Sequence, residues 1–214
     1  IIIPVYNSES FLKETIDSVL ASTYKPIEII IIDDGSTDGS ATIAQSYADA
    51  YSHVHFYQQE NKGVAAARNN GIDKSHGEYI LPVDSDNLIS PDYIAEAVAV
   101  FASSPSVKVI STEAEYFGMR SGPWKLAPFS LPLIARRNMI SCCSLFRKED
   151  WKRVGGFYEH TGREDWIFWI SVLKDGGDAV RLQNIGHYYR IHDQSKRKRD
   201  RSKKKEIVDT LNHL

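Results

Sequence analysis

The sequence predicts a single α/β domain built on a mainly parallel sheet flanked by helices, and three observations carry that prediction. Apolar strand-like runs alternate with segments of helical spacing through the first half of the chain. Several of those runs end directly in polar clusters, as strands of an open parallel sheet do at their carboxyl edge. The chain has 214 residues, 42% of them hydrophobic, which is enough for one substantial core.

Taken in order, Ile1 to Val5 is a strand, and Leu12, Ile16, Val19 and Leu20 mark one helix face. Pro26 closes that connection and Ile27 to Ile32 reads as a strand buried on both sides. Asp33 to Gly39 is a loop, with Asp38 able to cap a helix carrying Ile43, Ala44, Tyr47 and Ala48. Val54 to Tyr57 is a short strand, Gly63 to Lys74 an Ala-rich helix, and Tyr79 to Val83 the strand that feeds Asp84-Ser85-Asp86. Ser90-Pro91 suits a helix start before Tyr93, Ile94, Ala97, Val98 and Phe101, and Val107 to Ser111 is another strand. Such a βαβαβ order implies right-handed crossovers and a parallel sheet.

The second half is less regular. Met119 to Ile134 reads as a long surface loop, Ser141 to Phe146 as a strand, Lys148 to Val154 and Glu164 to Lys174 as helices, and Val180 to Leu182 and His187 to Ile191 as strands. The adjacent Cys142 and Cys143 read as reduced, small buried thiols, since neighbours rarely bond each other and two thiols do not make a zinc site.

The formal net charge of −2 hides an asymmetry: residues 195–206 hold eight Lys/Arg against Asp200 and Glu206, so that stretch carries +6 and the remainder −8. A solvated tail and a contact with anionic lipid head groups or an anionic acceptor both remain open for it. The acidic remainder argues against nucleic acid as a partner. No apolar run approaches membrane-spanning length and no signal-peptide pattern opens the chain. The chain opens without Met inside Ile1-Ile2-Ile3, as expected of a piece of a longer protein. The expected location is cytoplasmic, with the inner face of the membrane as a further option.

Asp84-Ser85-Asp86 is the most informative stretch. Alternate side chains of an extended segment face the same way, so Asp84 and Asp86 can meet one ligand together. Two hard oxygen donors there suit Mg²⁺ or Mn²⁺ holding a diphosphate, although Asp-x-Asp in a turn is also ordinary solvated punctuation. The sheet-edge rule places Tyr6-Asn7 and Asp33-Asp34 along the same crevice.

These residues resemble the family 2 glycosyltransferases, whose fold is the Rossmann-like GT-A fold. The match runs through Pro4-Val5-Tyr6-Asn7, Asp33-Asp34-Gly35-Ser36-Thr37-Asp38, Asn61-Lys62-Gly63, Ala67-Arg68-Asn69 and Asp84-Ser85-Asp86. It continues through Val154-Gly155-Gly156-Phe157, Glu164-Asp165-Trp166 and Tyr189-Arg190-Ile191-His192. The resemblance implies inverting transfer of a hexosyl or N-acetylhexosaminyl group from a UDP-sugar to an acceptor hydroxyl, assisted by Mn²⁺ or Mg²⁺. It implies a nucleotide-sugar half at residues 1–111, an acceptor and catalytic-base half at 112–194, and the basic tail at 195–214.

Carried over residue by residue, Pro4, Tyr6 and Asn7 would line the nucleoside pocket, and Asp34 would accept N3–H of uracil. Arg68 would neutralise the diphosphate or pair with Asp33; Asp84 with Ser85 would face the ribose side. Asp86 would hold the metal, and His192 would be a further metal or diphosphate contact or else an ordinary surface His at the end of an aromatic strand. Asp165 would be the base, with Glu164 and Trp166 in support, and Asp33 would orient Asp34 or fold its loop. Glu164 and Asp165 could instead only cap their helix, and Trp166 and Trp169 could be core or stack on sugar. The Gln/Arg-x-x-Arg-Trp motif of processive synthases is absent from the sequence, which favours addition of one or a few sugars. A glycan or lipid-linked acceptor, in cell-surface polysaccharide or glycolipid synthesis, is what the resemblance implies. Residues 119–138 are the place to look for an acceptor lid, with structural padding the equal alternative. The rival function is a non-catalytic nucleotide-sugar or glycan-binding module of a larger protein.

Overall fold

A computed structural model describes residues 1–159 and 162–193. The basic tail after residue 195, and with it the expected lipid contact, lies outside the described residues. The chain alternates β1 (Ile2–Val5), α1 (Leu12–Leu20), β2 (Ile29–Asp33), α2 (Ser40–Ala50), β3 (Val54–Gln58), α3 (Val64–Lys74) and β4 (Tyr79–Ile80). Then follow β5 (Leu88–Ile89), α4 (Tyr93–Ser103), β6 (Val107–Gly118), β7 (Gly122–Pro123), α5 (Leu131–Ile134), β8 (Leu145–Arg147), α6 (Lys148–Val154), α7 (Glu164–Leu173) and β9 (Asp178–Ile191).

β1, β2 and β3 form a parallel sheet in the order β1-β2-β3, with Ile3 opposite Ile31 and Ile31 opposite Phe56. A second sheet runs β4-β8-β6-β9-β5, with β7 added to β6. The Ile2 amide donates to Leu81 O (3.0 Å) and the Val83 amide to Ile2 O (2.9 Å), so the chain just beyond β4 lies parallel to β1 and sutures the two sheets. The expected parallel sheet is therefore confined to β1, β2, β3 and the chain just beyond β4. In the second sheet β4–β8, β6–β8, β5–β9 and β6–β7 are antiparallel and β6–β9 is parallel.

Both faces of β1 and β2 are buried, and the pleat sorts their residues by period two. Ile3, Val5, Ile29 and Ile31 pack with Leu12, Ile16 and Val19 of α1 and Tyr93 and Ile94 of α4. Ile2, Ile30 and Ile32 face the opposite way, onto Ala65, Ala67 and Ile72 of α3, in a cluster that continues to Phe168, Trp169 and Val172 of α7. The small side chains of α3 let it approach closely: a Cβ on Gly71 would stand 2.6 Å from Ile2 Cγ2 and 3.1 Å from Ile32 Cγ1.

Several expected boundaries move. The two predicted C-terminal strands are one strand, β9, running alongside β6 through register shifts. β6 extends to Gly118, past the expected end at Ser111, because its lengthened edge pairs with β9 along almost its whole length. Residues 141–144 do not form strand; only Leu145–Arg147 does, with Ser144 Oγ donating to Ser141 O to close a turn. The loop of 119–134 contains β7 and the short α5. α4 begins at Tyr93 rather than at Pro91. No helix among the described residues is long and apolar enough to cross a membrane.

Candidate functional site

The carboxyl ends of β1 and β2 are stitched together by side chain to backbone hydrogen bonds. Asn7 adopts the left-handed region (φ 49°); its amide donates to Ser36 Oγ (3.0 Å), and its Oδ1 accepts from the Thr37 amide (2.8 Å). Asn and Asp tolerate that conformation better than most residues, which explains Asn here. Pro4 is buried within β1 opposite Ile32, whereas Tyr6 is 53% exposed. Asp33 folds its own loop, accepting from the Ser36 amide (3.2 Å) and from Gln58 Nε2 (3.3 Å).

Asp34 is buried and holds the next loop. Its Oδ1 accepts from Gln59 Nε2 and the Lys62 amide, its Oδ2 from the Gly63 amide, each at 2.8 Å. Gly63 sits at φ 90°, a conformation that favours glycine, and it opens α3. A carboxylate offers about four lone-pair positions, and three protein donors occupy Asp34 already.

Residues 84–87 form a turn rather than the extended segment expected from sequence, with the Asn87 amide donating to Asp84 O (3.0 Å). The turn separates the three side chains. Asp84 accepts from Arg68 Nη2 (2.6 Å). Ser85 turns away, buried, with its Oγ 2.6 Å from Ser8 Oγ and its carbonyl accepting from Thr15 Oγ1. Asp86 Oδ2 lies 3.0 Å from His192 Nε2 at the end of β9. Burial, followed by the charge of Asp84, raises the Asp86 pKa, and His192 opposes that shift.

Arg190 fixes the strand end that delivers His192. Its amide donates to Asn87 Oδ1 (3.0 Å) and its Nε to Asp86 O (2.8 Å), while Nη2 pairs with Glu14. The guanidinium lies against the rings of Phe11 and Phe117 at 4.9 and 4.2 Å.

Arg68 pairs with Asp84 and Glu164, not with Asp33 as one expectation had it. It is 2% exposed and bridges Asp84 with one nitrogen and Glu164 Oε1 with the other (2.8 Å). One guanidinium thus ties α3 to the turn after β4 and to the first residue of α7. Glu164 is buried in that bridge, where an exposed helix cap would be solvated.

Asp165 follows in the first turn of α7 and accepts from Asn138 Nδ2 (2.9 Å). Burial and the neighbouring Glu164 push its pKa up to about 6; Arg68, the Trp166 amide and Asn138 pull the other way. The helix N-terminus alone would favour the charged form, so burial and like charge outweigh it here. Trp166 and Trp169 are core: Trp169 is fully buried, and Trp166 Nε1 donates to Ile134 O (2.6 Å). Neither presents an open face for sugar stacking.

Asp86 with His192 and Asp165 with Glu164 and Arg68 form the two chemical centres, and the Asp84–Arg68 pair links them. Cys142 belongs beside them: Arg68, Asp84, Asp165 and Glu164 all act on its thiol, and burial pushes its pKa well up. Nothing in the sequence marks it. Asn138 and Arg190 were likewise given no role from sequence, though Arg190 lies inside a matching motif.

Asp86 and His192 offer two donors of a kind that a divalent cation takes. Two ligands at right angles on an octahedral ion of Mg²⁺ size lie about 3 Å apart, and Asp86 Oδ2 and His192 Nε2 are 3.0 Å apart. No group of three or more His, Cys, Asp or Glu able to hold a metal occurs among the described residues. Substrate oxygens and water would therefore have to complete the shell, which is the usual mode for Mg²⁺ at phosphates. A neighbouring cleft of about 540 Å³ is lined by Asn7, Phe11, Thr37, Met119 and His192, among others.

Comparison with known proteins fits this architecture. An uncharacterized glycosyltransferase of Haemophilus influenzae is 47% identical over 186 residues, covering 84% of this chain and 73% of that protein. The uncharacterized glycosyltransferase YibD of Escherichia coli is 30% identical over 195 residues, covering 91% of this chain and 53% of YibD. Glycosyltransferase GlyA of Streptococcus pneumoniae is 43% identical over 94 residues, covering 44% of this chain and 14% of GlyA, and the match to YibD spans about half of that protein. Staphylococcus aureus TarS 1–349 in complex with UDP-GlcNAc superimposes with a TM-score of 0.77 at 22% identity, covering 91% of this chain and 58% of that one. A Pyrobaculum calidifontis mannosyltransferase in complex with GDP-Man and Mn²⁺ gives 0.70 at 21% identity, covering 91% of this chain and 57% of that one. These two likenesses establish a shared fold. The family model for glycosyl transferase family 2 matches residues 1–155, and on that match and the Haemophilus relative the chain belongs to glycosyl transferase family 2.

Proposed function

We propose that the protein transfers a hexosyl or N-acetylhexosaminyl group from a UDP-sugar to an acceptor hydroxyl, with inversion, in the synthesis of a cell-surface polysaccharide or glycolipid. The observation that carries this reading is the Asp165 carboxylate: half-buried, raised to about 6, and braced through Glu164 and Arg68 to the turn that holds Asp86 beside His192.

Inverting transfer needs a base on the acceptor hydroxyl, a stabilised leaving diphosphate and an in-line arrangement of the two. Asp165 is the base. A pKa near 6 keeps most of it ionised at neutral pH, yet makes it a stronger base than an ordinary exposed Asp. Asn138 holds Asp165 through its Oδ2. Asp86 and His192 would hold a divalent cation, which when bound offsets the charge developing on the leaving diphosphate. Arg68 is too deeply buried to touch that diphosphate and serves instead to hold the two centres at a fixed separation.

Tyr6, Asn7 and Asp34 lie on the loops that would receive the nucleoside. With three positions of its carboxylate taken, Asp34 has one left to accept N3–H of uracil, and it would repel the acceptor edge of cytosine. The UDP-GlcNAc complex of the Staphylococcus aureus neighbour adds support for a UDP-sugar. Residues 1–111 form the donor half in this reading and residues 112–194 the acceptor half.

Calorimetric titration with UDP, GDP, CDP and dTDP, in Mn²⁺ and again in EDTA, tests it. The expected result is binding that prefers UDP and weakens on chelation. Binding to none of the four would overturn the transferase reading, and preference for another nucleotide would overturn the role given to Asp34.

A further inference from the structure

Residues 119–138 contain Arg120, Lys125, Arg136 and Arg137 and no acidic residue, in a chain whose formal net charge is −2. Three of the eight large hydrophobic side chains exposed among the described residues fall in the same stretch: Met119 (65%), Leu131 (41%) and Leu133 (44%). Apolar side chains scattered singly on a surface need no explanation. A basic stretch that concentrates them does.

The loop that carries them is fastened. Arg181 of β9 donates from Nη1 to Leu126 O (2.9 Å) and from Nη2 to Ala127 O and Met139 O (2.8 Å each), so one guanidinium closes the neck of residues 128–138. On its inner side Ile134 is buried, its carbonyl accepts from Trp166, and Asn138 donates to Asp165. On its outer side Leu131, Pro132, Leu133, Arg136 and Arg137 are exposed. A loop ordered in advance presents its tip without a further ordering cost on contact. The wall that reaches Asp165 through Asn138 and the exposed tip belong to the same short loop.

We propose that this tip seats on an anionic lipid bilayer, Leu131 and Leu133 entering the head-group boundary while Arg136 and Arg137 meet anionic head groups. Exposed leucines beside arginines are the chemistry of interfacial anchoring, in which apolar burial and charge attraction add. Resting on the transferase reading, the consequence is that the acceptor hydroxyl reaches Asp165 from a membrane-borne molecule. Residues 195–206 play no part in this proposal.

The test is co-sedimentation of the full chain with vesicles of phosphatidylcholine containing phosphatidylglycerol, and with vesicles of phosphatidylcholine alone. The chain should partition onto the anionic vesicles. The double variant Leu131→Ser/Leu133→Ser should lower that partition about tenfold or more, as should Arg136→Gln/Arg137→Gln. Neutralising the tail with Lys203→Gln/Lys204→Gln/Lys205→Gln should leave the effect of the leucine substitutions in place. UDP titration of each preparation reports whether its fold and donor site survive. Should the leucine variant lose UDP binding, the arginine variant decides the matter. A folded variant that sediments like the unsubstituted chain overturns the proposal, and so does failure of the unsubstituted chain to bind anionic vesicles. Absence of UDP binding by the unsubstituted chain would sink the transferase reading instead and leave the vesicle result standing.

Discussion

The two halves of the molecule hold their polar residues by different means. In the parallel half, Asn7, Asp33 and Asp34 spend their hydrogen bonds on the backbone and side chains of neighbouring loops, so their geometry comes from turns local to the ends of β1 and β2. In the mixed half, Asp165, Glu164 and His192 are held by side chains that arrive from distant segments: Asn138, Arg68 and Asp86. Local stitching suits a rigid floor for a nucleotide. Long-range side-chain braces suit groups whose proton affinity must be set by their surroundings.

Asp165→Asn separates the halves most sharply. Turnover should fall by about two to four orders of magnitude while UDP binding persists, because the floor does not depend on that carboxylate. Single-turnover transfer beside calorimetry measures both, and near-normal transfer would remove Asp165 from the role of base. The same substitution should stabilise the fold. Asp165 titrates near 6 in the folded protein and near 4 unfolded, so its contribution is favourable in acid and is lost as pH rises through about 6. Above that window a neutral Asn should raise stability by on the order of 1–2 kcal/mol, read as a higher melting temperature at neutral pH. A residue that only maintained structure would move in the opposite direction.

Arg68→Met attacks the brace between the halves. Removing one partner from a buried ion network costs about 3–5 kcal/mol, and two carboxylates lose their cation here. The acid limb of the transfer rate should also shift to higher pH, since Arg68 holds the Asp165 pKa down. Arg68→Lys keeps the charge and should largely restore the limb even where stability stays low. If the residue met diphosphate instead, as the sequence suggests, loss of UDP affinity would dominate and the limb would stay put.

What was legible in the sequence divides along the same line. The β1, β2 and β3 elements, the Asn7 and Asp34 loops and the start of α7 follow from short apolar runs, turn chemistry and helical spacing, signals that reside within a few residues. The single long β9 and the partners of Arg68 were not legible, because each depends on a segment far away in sequence, whereas the local turn at residues 84–87 was one of two readings the sequence left open. Arg68 and Glu164 are 96 residues apart, and no local pattern records that they meet. Ser85 was misjudged for a related reason: a turn, unlike a strand, gives its alternate side chains no common direction, and this one sends Ser85 to Ser8.

Asn138→Ala tests the smallest of these long-range braces. The amide of Asn138 donates to Asp165 at 2.9 Å, and a hydrogen bond to a carboxylate favours its charged form. Its loss should therefore raise the Asp165 pKa further and carry the acid limb of the rate upward by roughly half to one pH unit, the equivalent of about 1 kcal/mol. Stability should fall by a similar amount at neutral pH and by less in acid, where the carboxylate is protonated and needs no such donor. UDP affinity should not change, because no bond of the parallel half passes through residue 138. A pH–rate profile unchanged by the substitution would mean that Asn138 shapes the loop alone, and that Arg68 and the helix start govern the carboxylate without it.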